Sequence, residues 1–334
     1  MSDSRCPACL TSGGEVIRRH SSERAATEYI LPQVEKERHA KLKAHLEHLW
    51  SGDHCLVRRC SSCGFAWAEP YVGGDQMFYA LATPDTNYPH DRWEFRRTIA
   101  ALDRLPTTSG AELLEIGGGR GQFLRQLIAK GWPPSCLSAI EFSEAGRQSI
   151  EQLGVSAQAI DVRTLPGNAL FDAICMFHVL EHMDGLDELF ASFARLLRTQ
   201  GHLFLAVPEA TWTERNETTG LLIDMAPEHI GRWQMSAFQA FCNRLGWQIV
   251  EHDAEPEPRL VTARQALAWR YLRRARDGVR WPRMTSNFAE RLPHRARRPA
   301  KAAAALLDPA CLLACAAAAT GPRARPSLWL HLRR

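Results

Sequence analysis

Glu115-Ile116-Gly117-Gly118-Gly119-Arg120-Gly121 stands between an apolar run, 111–116, and an amphipathic one that starts at Gln122. Glycine is needed at such a corner because the chain turns sharply and a ligand must reach backbone N–H groups with no Cβ in the way. The same alternation continues downstream. Short apolar runs of buried-strand type occur at 136–141, 171–177, 202–207 and 246–253. Amphipathic segments lie between them, among them 186–201, which is expected to run as a helix and close on Gly201. Strand and helix in strict turn predict a parallel sheet covered on both faces, a doubly wound α/β domain over 92–258. The segment 326–334 (PSLWLHLRR) reads as one more strand.

Twenty residues past Gly121, at the end of the second strand, stands Glu141. A carboxylate there can accept both hydroxyls of a ribose, whereas the plain alternative is a tight turn with a solvated Glu nearby. A dinucleotide fingerprint would need Gly at 122, where this chain has Gln122. The acid at 115 and the G-x-G-x-G spacing over 117–121 instead resemble motif I of class I S-adenosylmethionine (SAM)-dependent methyltransferases. The resemblance extends over most of 92–258. It implies SAM as cofactor, with Glu115, Gly117, Gly119 and Gly121 forming the loop and Glu141 binding the ribose. It makes Phe142 an adenine contact, Asp161 the acid that receives the adenine amino group, and Val162 a residue packed on the ring. It also implies a Rossmann-like seven-stranded sheet of order 3-2-1-4-5-7-6. Its last strand is then 326–334, and 259–325 is a helical insertion before that strand.

After the fourth strand comes His178-Val179-Leu180-Glu181-His182. On a helix, positions i, i+3 and i+4 share a face, so these three side chains are expected to converge at the carboxyl edge of the sheet. Taken alone, H-x-x-E-H is also the inverted zincin pattern, but its place behind the glycine loop argues against a protease. The text is similar to the E-x-x-E-H of ubiquinone-pathway O-methyltransferases and small-RNA 2′-O-methyltransferases, where it helps bind a divalent metal. His178 replaces the first Glu, and a matching later segment, 226–233, supplies His229. Three readings stay open. Glu181 and His182 cap the turn and shape the pocket; or His178 or His229 is a general base for a substrate hydroxyl; or Glu181, His182 and His229 hold a divalent metal that polarises the substrate oxygen.

Cys6-Pro7-Ala8-Cys9 and Cys60-Ser61-Ser62-Cys63 are two C-x-x-C pairs, and four thiolates in tetrahedral array suit structural zinc. Residues 1–70 are read as a zinc-ribbon-like module, with a helical stretch over 35–50 inserted between the knuckles and a connector at 71–91 after it. A redox role is the alternative, and Cys55 is a further candidate ligand. Cys136, Cys175 and Cys242 are expected to be packed thiols. A zinc head, a methyltransferase sheet with H-V-L-E-H, and a later P-x-H-x-x-R-W resemble bacterial methyltransferases of sugar and surface-glycan biosynthesis. That resemblance implies a small-molecule or sugar/glycan acceptor.

Across 334 residues, 45% apolar and 23% charged, the composition is that of an ordinary globular protein. The net charge of +4 hides a split. Residues 259–334 hold 17 Lys/Arg against 3 Asp/Glu, a net +14, which leaves −10 for the first 258. Within the basic part, 264–283 combines arginines with Leu267, Trp269, Tyr271 and Leu272. It is expected to lie on an anionic membrane, to contact phosphates, or to be a solvated helix. An RNA methyltransferase gripping nucleic acid with the zinc module and this segment is therefore a rival reading, as is a SAM-binding scaffold without turnover. The N-terminus lacks a signal-peptide pattern and 302–320 is interrupted by Asp308 and Pro309, so a cytoplasmic protein is expected.

Overall fold

The computed structural model describes residues 4–82, 91–105, 110–219, 224–257, 259–291, 294–320 and 325–334. Part of the expected connector, 83–90, and the end of the expected insertion, 321–324, lie outside the described residues. Contacts divide the chain into two units. The first is Met1–Glu209 with Met225–Glu255 and Ser327–Arg334; the second is Ala210–Asp224 with Pro256–Pro326.

The first unit opens with β1 (Glu15–Ser21), α1 (Ser22–Tyr29), α2 (Lys36–Leu49), β2 (His54–Arg59), β3 (Ala66–Glu69), α3 (Gln76–Ala82) and α4 (Trp93–Leu102). The main sheet follows as β4 (Leu113–Ile116), α5 (Gln122–Ala129), β5 (Leu137–Ile140), α6 (Glu144–Glu151), β6 (Ser156–Gln158), β7 (Phe171–Phe177), α7 (Leu186–Leu196) and β8 (Leu197–Pro208). After α8 (Ala210–Thr219), which belongs to the second unit, come β9 (Gly231–Arg232), α9 (Met235–Leu245) and β10 (Gln248–Ala254). The helices α10 (Arg259–Arg276), α11 (Arg280–Glu290), α12 (His294–Leu306) and α13 (Pro309–Thr320) precede β11 (Ser327–Arg333).

Seven strands lie in the order β10-β11-β8-β7-β4-β5-β6. Counted along the sheet's own strands this is 3-2-1-4-5-7-6, the expected order. The sheet is not wholly parallel, however. β11 runs antiparallel to both β8 and β10, with Leu330 opposite Leu205 and His252. The reason is where the chain leaves and returns. Glu255 N donates to Ser327 O at 2.9 Å, so everything from 256 to 326 fills the turn of an antiparallel hairpin, and such a pair tolerates a connection of any length. The helix expected to reach Gly201 ends at Leu196, because Leu197 already pairs with Phe171 in the β7–β8 ladder. All four residues of β4 are buried, as a central strand between two covered faces demands.

The Cys-bounded module is not closed within 1–70. Its antiparallel sheet, β1-β2-β3-β9, takes its fourth strand from 231–232, where Gly231 and Arg232 pair with Trp67 and Ala66. Phe65 packs on Trp233 at 4.6 Å between ring centroids, and Trp233 stacks on Phe238 of α9 at 4.3 Å. Cys6, Cys60, Cys63, Phe65 and Trp67 belong to the same buried cluster as Ile116, Ile174, Phe190 and Leu205. The module and one face of the main sheet thus share a single core.

The second unit is helical. Leu267, Tyr271, Ala304, Ala305 and Cys311 form its small buried core. Buried Asp308 binds Arg274 Nε at 3.0 Å and accepts from Ala310 N at 3.0 Å, which fixes the start of α13. Of the apolar residues in 264–283, Leu267 and Tyr271 are turned into the unit's own core. Among the described residues no single helix is long and apolar enough to cross a membrane; Pro299–Leu306 and Pro309–Ala319 pass that test only as a pair bent by 90°.

Candidate active site

The loop between β4 and α5 turns through three left-handed glycines, Gly117, Gly119 and Gly121, with φ of +75°, +54° and +75°. A Cβ at Gly117 would lie 2.3 Å from Val179 Cγ2, so this loop and the turn after β7 touch. The close approach is possible only for glycine. Gly119 N donates to Glu141 Oε2 at 2.8 Å and Ser143 N to Oε1 at 2.7 Å. The expected ribose acid is therefore seated against the loop. Gly146, which sequence reading passed over, lets α6 sit on the same corner: a Cβ there would meet Gly119 O at 2.5 Å.

Glu115 lies beneath the loop, buried, with its Oε2 lacking any hydrogen-bond partner. Burial, with the Glu141 charge adding to it, raises its pKa well above the usual carboxylate range. An unpaired acid under a glycine cradle fits a cofactor with a cationic amino group. Phe142 is 69% exposed beside Glu141, open to stacking. Asp161 is engaged: Arg163 Nη2 binds it at 2.6 Å and Arg163 N caps on it at 2.9 Å. Val162 is buried in the core rather than displayed to a ring.

The H-V-L-E-H segment is not a helical face. His178 has φ +54°, its N–H extends the β7–β8 ladder to Ala206 O, and only Leu180–His182 forms a one-turn 3-10 helix. The turn separates the three side chains into two roles. His178 Nε2 meets Glu94 of α4 at 3.0 Å, and its Nδ1 lies 3.6 Å from Glu181 Oε1. Burial opposes its charge, but the two carboxylates outweigh it and lift its pKa to about 9. Held between two carboxylates, His178 is favoured in its protonated form.

Glu181, His182 and His229 do converge, with ligand atoms within 4.8 Å of one another. Glu181 is 1% exposed and neither of its oxygens is hydrogen-bonded. Burial pushes both His182 and His229 down to about 4, helped at His182 by His229 and at His229 by His178 and Arg232, so both rings favour the neutral form. His182 Nδ1 donates to Glu228 O at 2.6 Å, which leaves Nε2 as a lone pair facing Glu181 Oε1 at 3.9 Å. Two electron-rich atoms aimed at each other in a buried site fit a cation between them.

Tyr29 of the N-terminal module and the segment that follows the module wall this site. Tyr79 OH is 3.2 Å from His182 Nδ1, Tyr29 OH donates to Glu228 Oε2 at 2.9 Å, and Tyr71 OH donates to Met183 O at 3.2 Å. A Cβ at Gly73 would strike His182 O at 2.5 Å. Neither these residues nor Glu94 carry a local sequence signal; they become visible only when distant segments meet.

At the other end of the module Cys6 Sγ lies 3.6 Å from Cys63 Sγ, and Cys9 Sγ 3.5 Å from Cys60 Sγ. A tetrahedron of thiolates about 2.3 Å from a zinc ion has edges of about 3.8 Å, so the donor set fits that metal. Cys55 is apart from it, buried in β2 opposite His20. Cys175 and Cys242 are packed thiols as expected, while Cys136 is only partly buried.

Glycine loop, sheet order and carboxyl-edge cluster together define a class, and residues 90–252 match the family model of the methyltransferase domain. That stretch, just under half of the chain, is a methyltransferase domain. A similar curated protein is the ubiquinone biosynthesis O-methyltransferase of Bartonella bacilliformis, 27% identical over 147 residues, which are 40% of this chain and 55% of that one. The chain thus spans about half the length of the curated relative it matches. Similar solved structures include a SAM-dependent methyltransferase from Archaeoglobus fulgidus (14% identity, TM-score 0.44, 72% of this chain and 91% of that one). Another, from Mesorhizobium loti, has 15% identity and a TM-score of 0.44 over 74% of this chain and 100% of that one.

Proposed function

We propose that this protein transfers the methyl group of SAM to a hydroxyl oxygen of a small-molecule or glycan-precursor acceptor. The observation that carries the reading is buried Glu181, with both oxygens unbonded, facing the unprotonated Nε2 of His182 beside His229 at the carboxyl edge of the sheet. SAM supplies an electrophilic methyl on a sulfonium, and an acceptor hydroxyl must shed its proton as the new C–O bond forms. Glu115, Gly117, Gly119, Gly121 and Glu141 hold the cofactor, with Phe142 and the backbone at Asp161 and Val162 beside the adenine. Neutral His229 or His182 takes the acceptor proton, while the Glu94–His178 pair fixes the orientation of Glu181. Where a divalent cation is bound instead, Glu181, His182 and His229 would hold it, and it would supply Lewis acidity toward the same hydroxyl in place of a histidine base, the proton passing to water. Cys6, Cys9, Cys60 and Cys63 would hold structural zinc, bracing the module that bears Tyr29.

The test is transfer of labelled methyl from SAM into a cell extract, followed by identification of the product with wild type and Glu181→Gln side by side. Label on a hydroxyl oxygen, lost in the variant and lost on chelation, is expected. Label on carbon or nitrogen, or full transfer by Glu181→Gln, overturns the reading. Elemental analysis checks the thiolate site separately, with zinc expected in wild type and absent from Cys60→Ser.

A further inference from the structure

The second unit carries an apolar surface that its own core does not use. On α11, Trp281, Met284 and Phe288 are 41%, 55% and 62% exposed, while Pro282 and Ala289 are buried. The exposed three recur at three- and four-residue spacing, so they form one ridge along the helix, turned away from the buried side. Exposed Arg280 stands one turn before Met284 and exposed Arg291 one turn after Phe288, with exposed Arg283 flanking the ridge. Trp281 Nε1 donates to Ala304 O at 3.3 Å, which places the ridge beside the corner between α12 and α13. There Leu306, Leu307, Leu312 and Leu313 are 54%, 70%, 44% and 71% exposed.

A soluble surface rarely shows seven large apolar side chains in two adjoining groups, and when it does a partner is implied. Charge selects the partner. Between 256 and 326 there are 15 Lys/Arg against 4 Asp/Glu. Apolar tips edged by arginines match the boundary between acyl chains and anionic headgroups, where the ridge is buried and each arginine meets a phosphate. We infer that the second unit seats the enzyme on an anionic phospholipid surface through α11 and the α12–α13 corner. The contact is interfacial: α11 is too short to span, and α12 and α13 are bent away from one line.

The experiment is flotation of the full-length protein with vesicles of phosphatidylcholine alone and with about 30% phosphatidylglycerol. Binding to the anionic vesicles only, weakened by salt, is expected. Met284→Ser/Phe288→Ser should lower that partitioning at least about tenfold, and Arg280→Glu/Arg283→Glu should do the same and abolish its salt dependence. Both side-chain pairs are exposed, and SAM affinity, unchanged in either variant, reports that the fold is kept. Protein left unbound by anionic vesicles at low salt overturns the inference. So does binding that ignores Met284→Ser/Phe288→Ser and is competed equally by RNA, which would assign the arginines to nucleic acid. A concentration-dependent dimer dissolved by Phe288→Ser also overturns it, since a second copy would then cover the ridge. None of these readouts requires methyl transfer.

Discussion

The first unit contains two close pairs of histidines with the same electrostatic signature and different surroundings. His182 and His229 cross at 4.7 Å between ring centroids; His202 and His331 lie at 5.0 Å, with Nδ1 of the first 2.8 Å from Nε2 of the second. Burial lowers His182, His229 and His331 alike to about 4. The difference lies in what each pair faces. His331 stacks on Phe204 and spends its ring nitrogen on His202, whereas His182 and His229 face an unbonded carboxylate beside the glycine loop. A depressed histidine pKa therefore reports burial. A site additionally needs polar groups left unsatisfied toward a ligand.

The sharpest test of that contrast is Glu181→Gln. It keeps the volume and removes the charge, so methyl transfer should fall at least about 1,000-fold while SAM affinity, measured by calorimetry, stays within about twofold. Next in size, His229→Ala should cost at least about 100-fold in transfer and His331→Phe less than about threefold. Equal losses in the two variants would break the comparison. Glu94→Gln should lower kcat about tenfold with little change in SAM affinity, because it loosens His178 and with it the orientation of Glu181; rescue by Glu94→Asp would mark positioning rather than packing.

The smallest effect is on acid stability. His331 is neutral when folded, and its pKa is lowered from 6.5 to about 4. A depressed folded value means that its stabilisation is present above pH 6.5 and is lost as the pH falls toward 4. The melting temperature of His331→Phe should accordingly decline less steeply than that of wild type across that window, and parallel curves would remove His331 from the account.

Much of the fold was legible before any coordinates. Gly117, Gly119 and Gly121 announced a left-handed corner, the C-x-x-C pairs announced a four-thiol cluster, and 326–334 announced a strand. Each is a local pattern whose backbone chemistry is the same wherever it occurs. The failures have a common cause as well. Reading H-V-L-E-H as a helical face overlooked that His178 stays in the β7–β8 ladder, so its backbone is spent on Ala206 before a helix can start. Taking 186–201 as one helix overlooked the pairing of Leu197 with Phe171.

Sequence by itself determined the cofactor loop, the order of strand and helix, and the two cysteine knuckles, because turn geometry and thiol spacing are properties of neighbouring residues. Only the tertiary structure decided that Glu94 holds His178, that Tyr29 of the cysteine module and Tyr79 of α3 wall the site around Glu181, and that 231–232 completes the module's sheet. Those contacts join residues tens to hundreds of positions apart. Their energy depends on distance and burial in space, and no pattern along the chain encodes either.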